Sequence, residues 1–238
     1  MTKLRRSVRW VGGGAAVTFA YLGYVYLTLP DVRSLARSRP STTAFMDLRA
    51  RDAAAAGHKP RREQSWVRLN QISPHLQRAV VISEDAAFWG HEGVDFDEVR
   101  ASIELNLAEA QFVRGASTIT QQLAKNLYLS PSRNPVRKVR ELIIARRLEA
   151  ELSKARIFEL YLNVIEWGDG IYGVEAAARR YFGVAAADLD EAQSALLAGA
   201  IINPRALSPA RPNARLLARQ RLILKRMGVA SVRADDGR

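Results

Sequence analysis

Three groups of residues combine types and spacings that suit chemistry. The first is the acidic cluster Glu84, Asp85, His91 and Glu92, with Phe88 and Trp89 among its members. Two adjacent carboxyls beside apolar and aromatic side chains form an environment that raises a carboxyl pKa, as a general base working near neutral pH requires. The same residues also suit an acidic surface turn with a structural histidine, and spacing does not separate the two readings. His91 has no partner at a metal-ligand spacing such as HExxH, and a hydrogen-bonded structural role is the simpler reading of it.

The second group lies in the stretch from Arg114 to Glu141, RGASTITQQLAKNLYLSPSRNPVRKVRE. Gly115 gives a flexible entry and Ser117 or Thr118 is placed to cap a helix, whose N-terminal amides are then expected to be free to meet an anion. Thr118, Gln122 and Lys125 follow at i, i+4 and i+7 and share one helix face, while Ile119, Leu123 and Leu127 form the apolar stripe that anchors the helix. A hydroxyl, an amide and an ammonium on one face, with Asn126 beside them and few other charges nearby, is an unusual surface for a solvated helix. The third group is RKxxE: Arg137 and Lys138 stand four and three residues before Glu141, so one carboxylate is held beside two cations on a helix beginning near Val136. Taken alone, that pattern is also what ordinary surface ion pairs look like.

The elements that position these groups are helical. After Pro74 a helix is expected up to a break at Gly90, and Asp97 to Ala110 continues as an amphipathic helix. The RKxxE helix runs on to about Ser153. A further helix is expected over SKARIFELYLNVIEWG, with Ile157, Leu160, Tyr161 and Val164 inward. Asp190 caps a helix through Ile202, and Asn213 to Met227 forms a basic helix stopped by Gly228. The stretch TAFMDLRARDAAAAG suits one short helix ending at Gly57, and WVRLNQIS, from Trp66, a short extended segment. The expected fold class is mainly α.

Composition bounds the partners. The chain has 238 residues, 48% of them hydrophobic, enough for one folded domain with a sizeable core plus an appendage. Its net charge of +12 calls for an anionic partner, whether nucleic acid, phospholipid headgroups or a phosphorylated substrate. Ten Lys/Arg against three Glu lie between Arg114 and Arg156, a net +7, so the positive charge coincides with the polar-faced helices and suits a diphosphate. With no cysteine, disulfide and thiolate chemistry are excluded.

The N-terminus suggests a compartment. Lys3, Arg5, Arg6 and Arg9 precede an uncharged run of 20 residues, Trp10 to Leu29, which as a helix spans about 30 Å of hydrocarbon. The end of that run, YLTLPDVR, offers no A-x-A cleavage pattern, so a retained anchor is expected rather than a signal peptide. Arg33, Arg37 and Arg39 follow closely, and the charge difference that puts the N-terminus in the cytoplasm is small. The expected organisation is a cytoplasmic N-terminus over 1–9, a transmembrane helix over 10–29, a connector over 30–64, the catalytic domain over 65–228 and a polar tail over 229–238.

In order along the chain, EDAAFWGHEG (84–93), GASTITQQLAKN (115–126), RKVRE (137–141), KARIFELYLN (154–163) and GIYGVEAAARRYFG (170–183) resemble the five motifs of the peptidoglycan glycosyltransferases, relatives of the glycosyltransferase domain of class A penicillin-binding proteins. The resemblance covers roughly Trp66 to Pro209. Small departures are Phe158 where Leu is frequent, Val184 where Lys is common, and Ile202 where Pro often precedes Asn-Pro. No Ser-x-x-Lys motif of a transpeptidase is found, so the expectation is the monofunctional, membrane-anchored form.

That resemblance implies a lysozyme-like helical domain with a small membrane-proximal lobe around the segment from His91 to Gly115. It implies transfer from a growing lipid-linked glycan to lipid II, with inversion at the anomeric carbon and release of polyprenyl diphosphate. Glu84 is then the general base and Glu141 the second catalytic carboxylate, orienting the cations or supporting charge in the donor half. Lys125, Arg137 and Lys138 are expected to stabilise the departing diphosphate, with Thr118, Gln122 and Asn126 as hydrogen-bond partners. Asp85, Phe88, His91 and Ser117 complete the expected substrate-binding set. Family members are often stimulated by Mg²⁺ or Mn²⁺, expected here on the substrate diphosphate with no assignable protein ligand, and no organic cofactor is expected. The implied partners are lipid II, the growing strand, the membrane and proteins of cell-wall synthesis or division, without nucleic acid, and the implied location is the inner membrane with the catalytic domain on the periplasmic side. Two other classes stay open: a lysozyme-like glycan-cleaving enzyme, which needs no cations for a diphosphate, and a membrane-tethered protein that binds an anionic ligand, which leaves the uncharged Thr/Gln face unexplained.

Overall fold

A computed structural model of the chain describes residues 23–24, 27–109, 117–130 and 134–229, without the side chains of 106–108 and 135. Among these residues are nine α-helices: α1 (Ala44–Ala55), α2 (Pro74–Glu84), α3 (Phe96–Ala108), α4 (Ile119–Tyr128), α5 (Pro135–Glu151), α6 (Lys154–Val164), α7 (Val174–Phe182), α8 (Glu191–Ala200) and α9 (Ala214–Arg226). Short 3-10 turns at Arg33–Ala36, Leu69–Gln71 and Ala186–Asp188 punctuate them. The domain is mainly helical, as the periodicity predicts.

Local chemistry sets most of the helix starts. Thr43, Ser73, Thr118, Asn134, Ser153, Asp190 and Asn213 each cap the helix that follows, their side-chain oxygens accepting a backbone N–H of its first turn. Asp190 and Gln193 form a reciprocal capping box.

At the centre lies α4, whose Ile119, Leu123, Ala124 and Leu127 are buried; it packs on α5, α6 and α1. A second layer is formed by α2, α8 and α9, which pack on one another. Ile157, Leu160 and Tyr161 of α6 join the principal core with Leu76 and Val80 of α2. Leu216 of α9 belongs to a smaller cluster with Leu196 and Leu207.

Three short strands, β1 (Glu63–Gln64), β2 (Glu166–Gly168) and β3 (Ile171–Tyr172), form one sheet in the order β1-β3-β2. β2 and β3 are an antiparallel hairpin with an irregular register, and β1 lies parallel to β3, Glu63 opposite Ile171. Gly170, in the hairpin turn, has φ +72°, and a Cβ there would lie 2.7 Å from Arg61 Cβ, so only glycine suits the turn.

Three expectations are corrected. The helix after Pro74 ends at Glu84 and not at Gly90, because Asp85 leaves the helical region and turns its carboxylate to the head of α4. The helix from Lys154 stops at Val164: Ile165 is extended and Glu166–Gly168 pairs in the sheet, while Asn163 exchanges two hydrogen bonds with the backbone of Val67, at 3.0 and 2.9 Å. The paired segment upstream is Glu63–Gln64, and Leu69–Gln71 is a turn where WVRLNQIS suggested extended chain. The short helix expected to end at Gly57 is α1.

The expected transmembrane helix over 10–29 falls outside the described residues except at 23–24 and 27–29, and no helix among the described residues is long and apolar enough to cross a membrane. The tail over 229–238 lies outside them beyond Val229, as do residues 110–115 of the expected small lobe.

Candidate active site

Glu84 is the last residue of α2, at the floor of a cleft of about 520 Å³ that Ser117 and Gln122 of the α4 segment and Arg219 and Arg226 of α9 also line. Part of its surface stays open to the cleft, yet enough protein surrounds the carboxyl that burial pushes its pKa above the usual carboxylate value. A hydrogen bond from Gln122 and the charges of Arg219 and Lys125 oppose that rise, and Asp85 adds to it. Gln122 Nε2 donates to Glu84 Oε2 at 2.8 Å. The face of α4 that carries Gln122 also reaches a second, smaller cleft of about 230 Å³, lined in addition by Lys125, Asn126, Arg49 and Glu166. Gln122 thus stands between the two.

Asp85 is turned inward. Its carboxylate accepts from the backbone N–H of Ile119 at 2.9 Å and from His91 Nε2 at 3.0 Å. Gly93 N–H donates to His91 Nδ1 at 3.1 Å, which makes Nδ1 an acceptor and places the ring proton on Nε2, facing Asp85. Two of the amides at the start of α4, expected to be open to an external anion, are therefore already engaged: Ile119 N–H by Asp85 and Gln121 N–H by Thr118 Oγ1. A carboxylate of the chain itself occupies the favourable end of the helix dipole. Thr118 is buried, its hydroxyl donating to Gly93 O at 2.7 Å, and Gln121 Nε2 donates to the same carbonyl. The loop 85–93 is thereby stitched to the head of α4.

Phe88 has no exposed surface. It packs edge-on to Trp89 and tilted on Phe158, with Lys154 Nζ 4.5 Å from its ring centre. Lys154 also donates to Glu149, which accepts from Thr120 as well. Asp85, Phe88, His91 and Thr118 of the expected substrate-binding set thus tie the loop that follows Glu84 to the head of α4, and Asp85 and Thr118 also line the Glu84 cleft.

The third group assembles as its spacing implies. Glu141 is buried, accepting from Arg137 Nη1 and from Lys138 Nζ, and Lys138 also donates to Gln121 Oε1 at 3.1 Å and Ser117 Oγ at 3.4 Å. Lys125 sits nearby. Burial lowers its ammonium pKa, Glu141 opposes this, and Arg137 and Lys138 add to the lowering. Three cations around one carboxylate leave a positive excess beside the clefts. Asn126 Nδ2 donates to Gln122 O at 2.8 Å, so its amide nitrogen secures α4 itself.

Sequence reasoning missed three features. Tyr161, read only as part of an inward apolar face, donates its hydroxyl to Gln122 Oε1 at 2.9 Å. A tyrosine on an otherwise aliphatic face was the available signal, since a buried hydroxyl needs a partner. Arg219 and Arg226, read as members of a basic helix, line the Glu84 cleft. Arg49 and Glu166 form an ion pair at 3.2 Å at the smaller cleft, across 117 residues of sequence, and had no local signal.

Comparison with known proteins gives the family of the chain. The profile of the Transglycosylase family matches residues 51–228. A biosynthetic peptidoglycan transglycosylase of Laribacter hongkongensis is 42% identical over 226 residues, 94% of this chain and 99% of the relative. Proteins of the same name from Methylobacillus flagellatus, 48% identical over 81% of this chain and 84% of the relative, and from Chromobacterium violaceum, 41% identical over 90% and 93%, are also similar to it.

Proposed function

Because the chain belongs to the transglycosylase family and is a peptidoglycan glycosyltransferase, we propose that it polymerises lipid II with Glu84 as the general base and the Lys125, Arg137 and Lys138 cluster as the seat of the leaving diphosphate. The observation that carries this reading is the pairing of a carboxyl raised by burial, at the floor of a cleft, with a cluster of three cations around Glu141 on the flanking helices.

In this mechanism the 4-hydroxyl of the acceptor sugar attacks the anomeric carbon of the donor from the face opposite its diphosphate. Glu84 takes the hydroxyl proton as the new C–O bond forms. The bond from the anomeric carbon to the diphosphate oxygen breaks, its electron pair leaves with the polyprenyl diphosphate, and the configuration inverts. Lys125, Arg137 and Lys138 stabilise the charge that develops on the leaving group. Glu141 holds Arg137 and Lys138 in place, and Lys138 in turn bridges to Ser117 and Gln121. The loop residues Asp85, Phe88 and His91, with Thr118 at the head of α4, fix where the base sits.

Among the described residues no three His, Cys, Asp or Glu side chains come together as a metal site. Mg²⁺ or Mn²⁺ enters this reading only as a companion of the substrate diphosphate.

A lipid-tethered substrate requires the site to lie at a bilayer. Two features support membrane association: the uncharged run over 10–29, and the exposed Phe96 and Ile103, one heptad apart on α3. In this reading the run is an anchor and the catalytic domain faces the periplasm.

The test is conversion of labelled lipid II to polymer by the purified full-length protein in detergent with Mg²⁺, beside Glu84→Gln. Polymer from the parent and none from the variant is the expected result. Equal polymer from both removes Glu84 from its role, and release of fragments from sacculi without lipid II would favour a glycan-cleaving enzyme.

A further inference from the structure

We propose that Tyr161 is a positioning residue for the base: its hydroxyl fixes the orientation of the Gln122 amide, and that amide holds Glu84 in the form that accepts a proton. The inference rests on the reading of Glu84 as the base. It concerns three side chains from three elements, the end of α2, the middle of α4 and the buried face of α6, joined by hydrogen bonds of 2.8 and 2.9 Å.

An ionised carboxylate only accepts, so it must face the nitrogen of the Gln122 amide, and the amide oxygen must then point the other way. At that oxygen stands Tyr161 Oη, fully buried, which supplies the O–H that the oxygen needs. The reversed amide would set an oxygen against the carboxylate, an arrangement that satisfies only a protonated Glu84. In that reversed form Tyr161 Oη would accept from the amide nitrogen and its own buried O–H would lose its acceptor, so Tyr161 favours the observed orientation and with it the ionised state of the base. Burial, with the nearby charges of Glu84 and Asp85, pushes the Tyr161 hydroxyl pKa well above its ordinary value, so it remains a donor throughout the working range.

The charges that act on Glu84 come from Asp85 beside it, Lys125 on α4 and Arg219 on α9, and Asp95 and Glu98 also line its cleft. Tyr161→Phe leaves all of them in place and keeps the buried ring. A change in the titration of catalysis then reports the amide alone.

The experiment measures kcat and KM for lipid II against pH with the full-length protein, for the parent, Tyr161→Phe, Gln122→Ala and the double variant, with thermal melting as the check of folding. Tyr161→Phe is expected to lower kcat about three- to tenfold, the scale of one lost hydrogen bond, with KM little changed. Its acid limb moves to higher pH, because an amide free to turn its oxygen to Glu84 favours the protonated acid. In the Gln122→Ala background the tyrosine substitution adds nothing. An unchanged acid limb in Tyr161→Phe, or effects of the two substitutions that simply multiply, would overturn the proposal and leave Tyr161 as a packing residue. Glu84→Gln run alongside separates the two levels: if it keeps turnover, the base assignment fails, whereas an inactive Glu84→Gln beside a parent-like Tyr161→Phe removes the positioning role alone.

Discussion

The carboxylate of Asp85 accepts the backbone N–H of Ile119 at 2.9 Å, across 34 residues of sequence. The residue directly after the proposed base thus caps the helix that carries Gln122 and Lys125. One hydrogen bond couples the position of the proposed base to the helix proposed to flank the leaving group.

Asp85→Ala tests that coupling. It leaves Ile119 N–H and His91 Nε2–H without their acceptor in a buried setting, and each orphaned donor costs about 1–3 kcal/mol. A loss of about 2–4 kcal/mol in chemical denaturation is expected, with turnover falling because Glu84 is no longer held in place. Full stability with a raised KM would instead make Asp85 a direct substrate contact.

The raised pKa of Glu84 has a sign that stability can read. A group whose pKa is higher in the folded than in the unfolded state favours folding below its unfolded pKa and loses that contribution as pH rises through the folded value. At neutral pH the ionised Glu84 is therefore a burden on the fold. Glu84→Gln is expected to melt at a higher temperature than the parent at pH 7, the difference shrinking as pH falls toward 4.5. In the parent, turnover declines on the acid side at a pH above the usual carboxylate range, because only the ionised form takes the proton.

Lys138→Ala separates catalysis from folding at the cation cluster. The lysine side chain is 43% exposed, and Arg137 still satisfies the buried Glu141 after its loss, so melting should change little. Polymerisation should fall on the order of 10²-fold, the scale for removing one donor that stabilises transition-state charge. An unchanged rate would return RKxxE to an ordinary ion-pair role.

Gly170→Ala probes the small sheet. Its φ of +72° and the 2.7 Å approach of a Cβ to Arg61 predict a loss of about 1–3 kcal/mol. The strain falls where β1 joins β3, so proteolysis between Arg61 and Trp66 should accelerate.

Much of this protein was legible locally. Helix starts could be read because a cap and its helix are neighbours in sequence, as at Thr118, Ser153, Asp190 and Asn213. The pairing of Arg137 and Lys138 with Glu141 followed from helix geometry alone, and the apolar stripe of α4 from its period. Types and order of the motifs named Glu84 and the cations.

Tertiary structure decided how those residues are held. Asp85 on Ile119, Tyr161 on Gln122, Gln122 on Glu84 and Arg49 on Glu166 are partners 34, 39, 38 and 117 residues apart. A helix or strand period carries no information over such separations. The early ends of α2 and α6 differ in origin: Asp85 finds its partner in Ile119, 34 residues on, whereas α6 gives way to the local hairpin of β2 with β3, with Asn163 held by the backbone of Val67, 96 residues away. Sequence determined which groups are present, because residue type and short-range spacing fix chemistry and helix faces; packing alone decided which of them meet, because a buried donor is satisfied by whatever acceptor the fold brings to it.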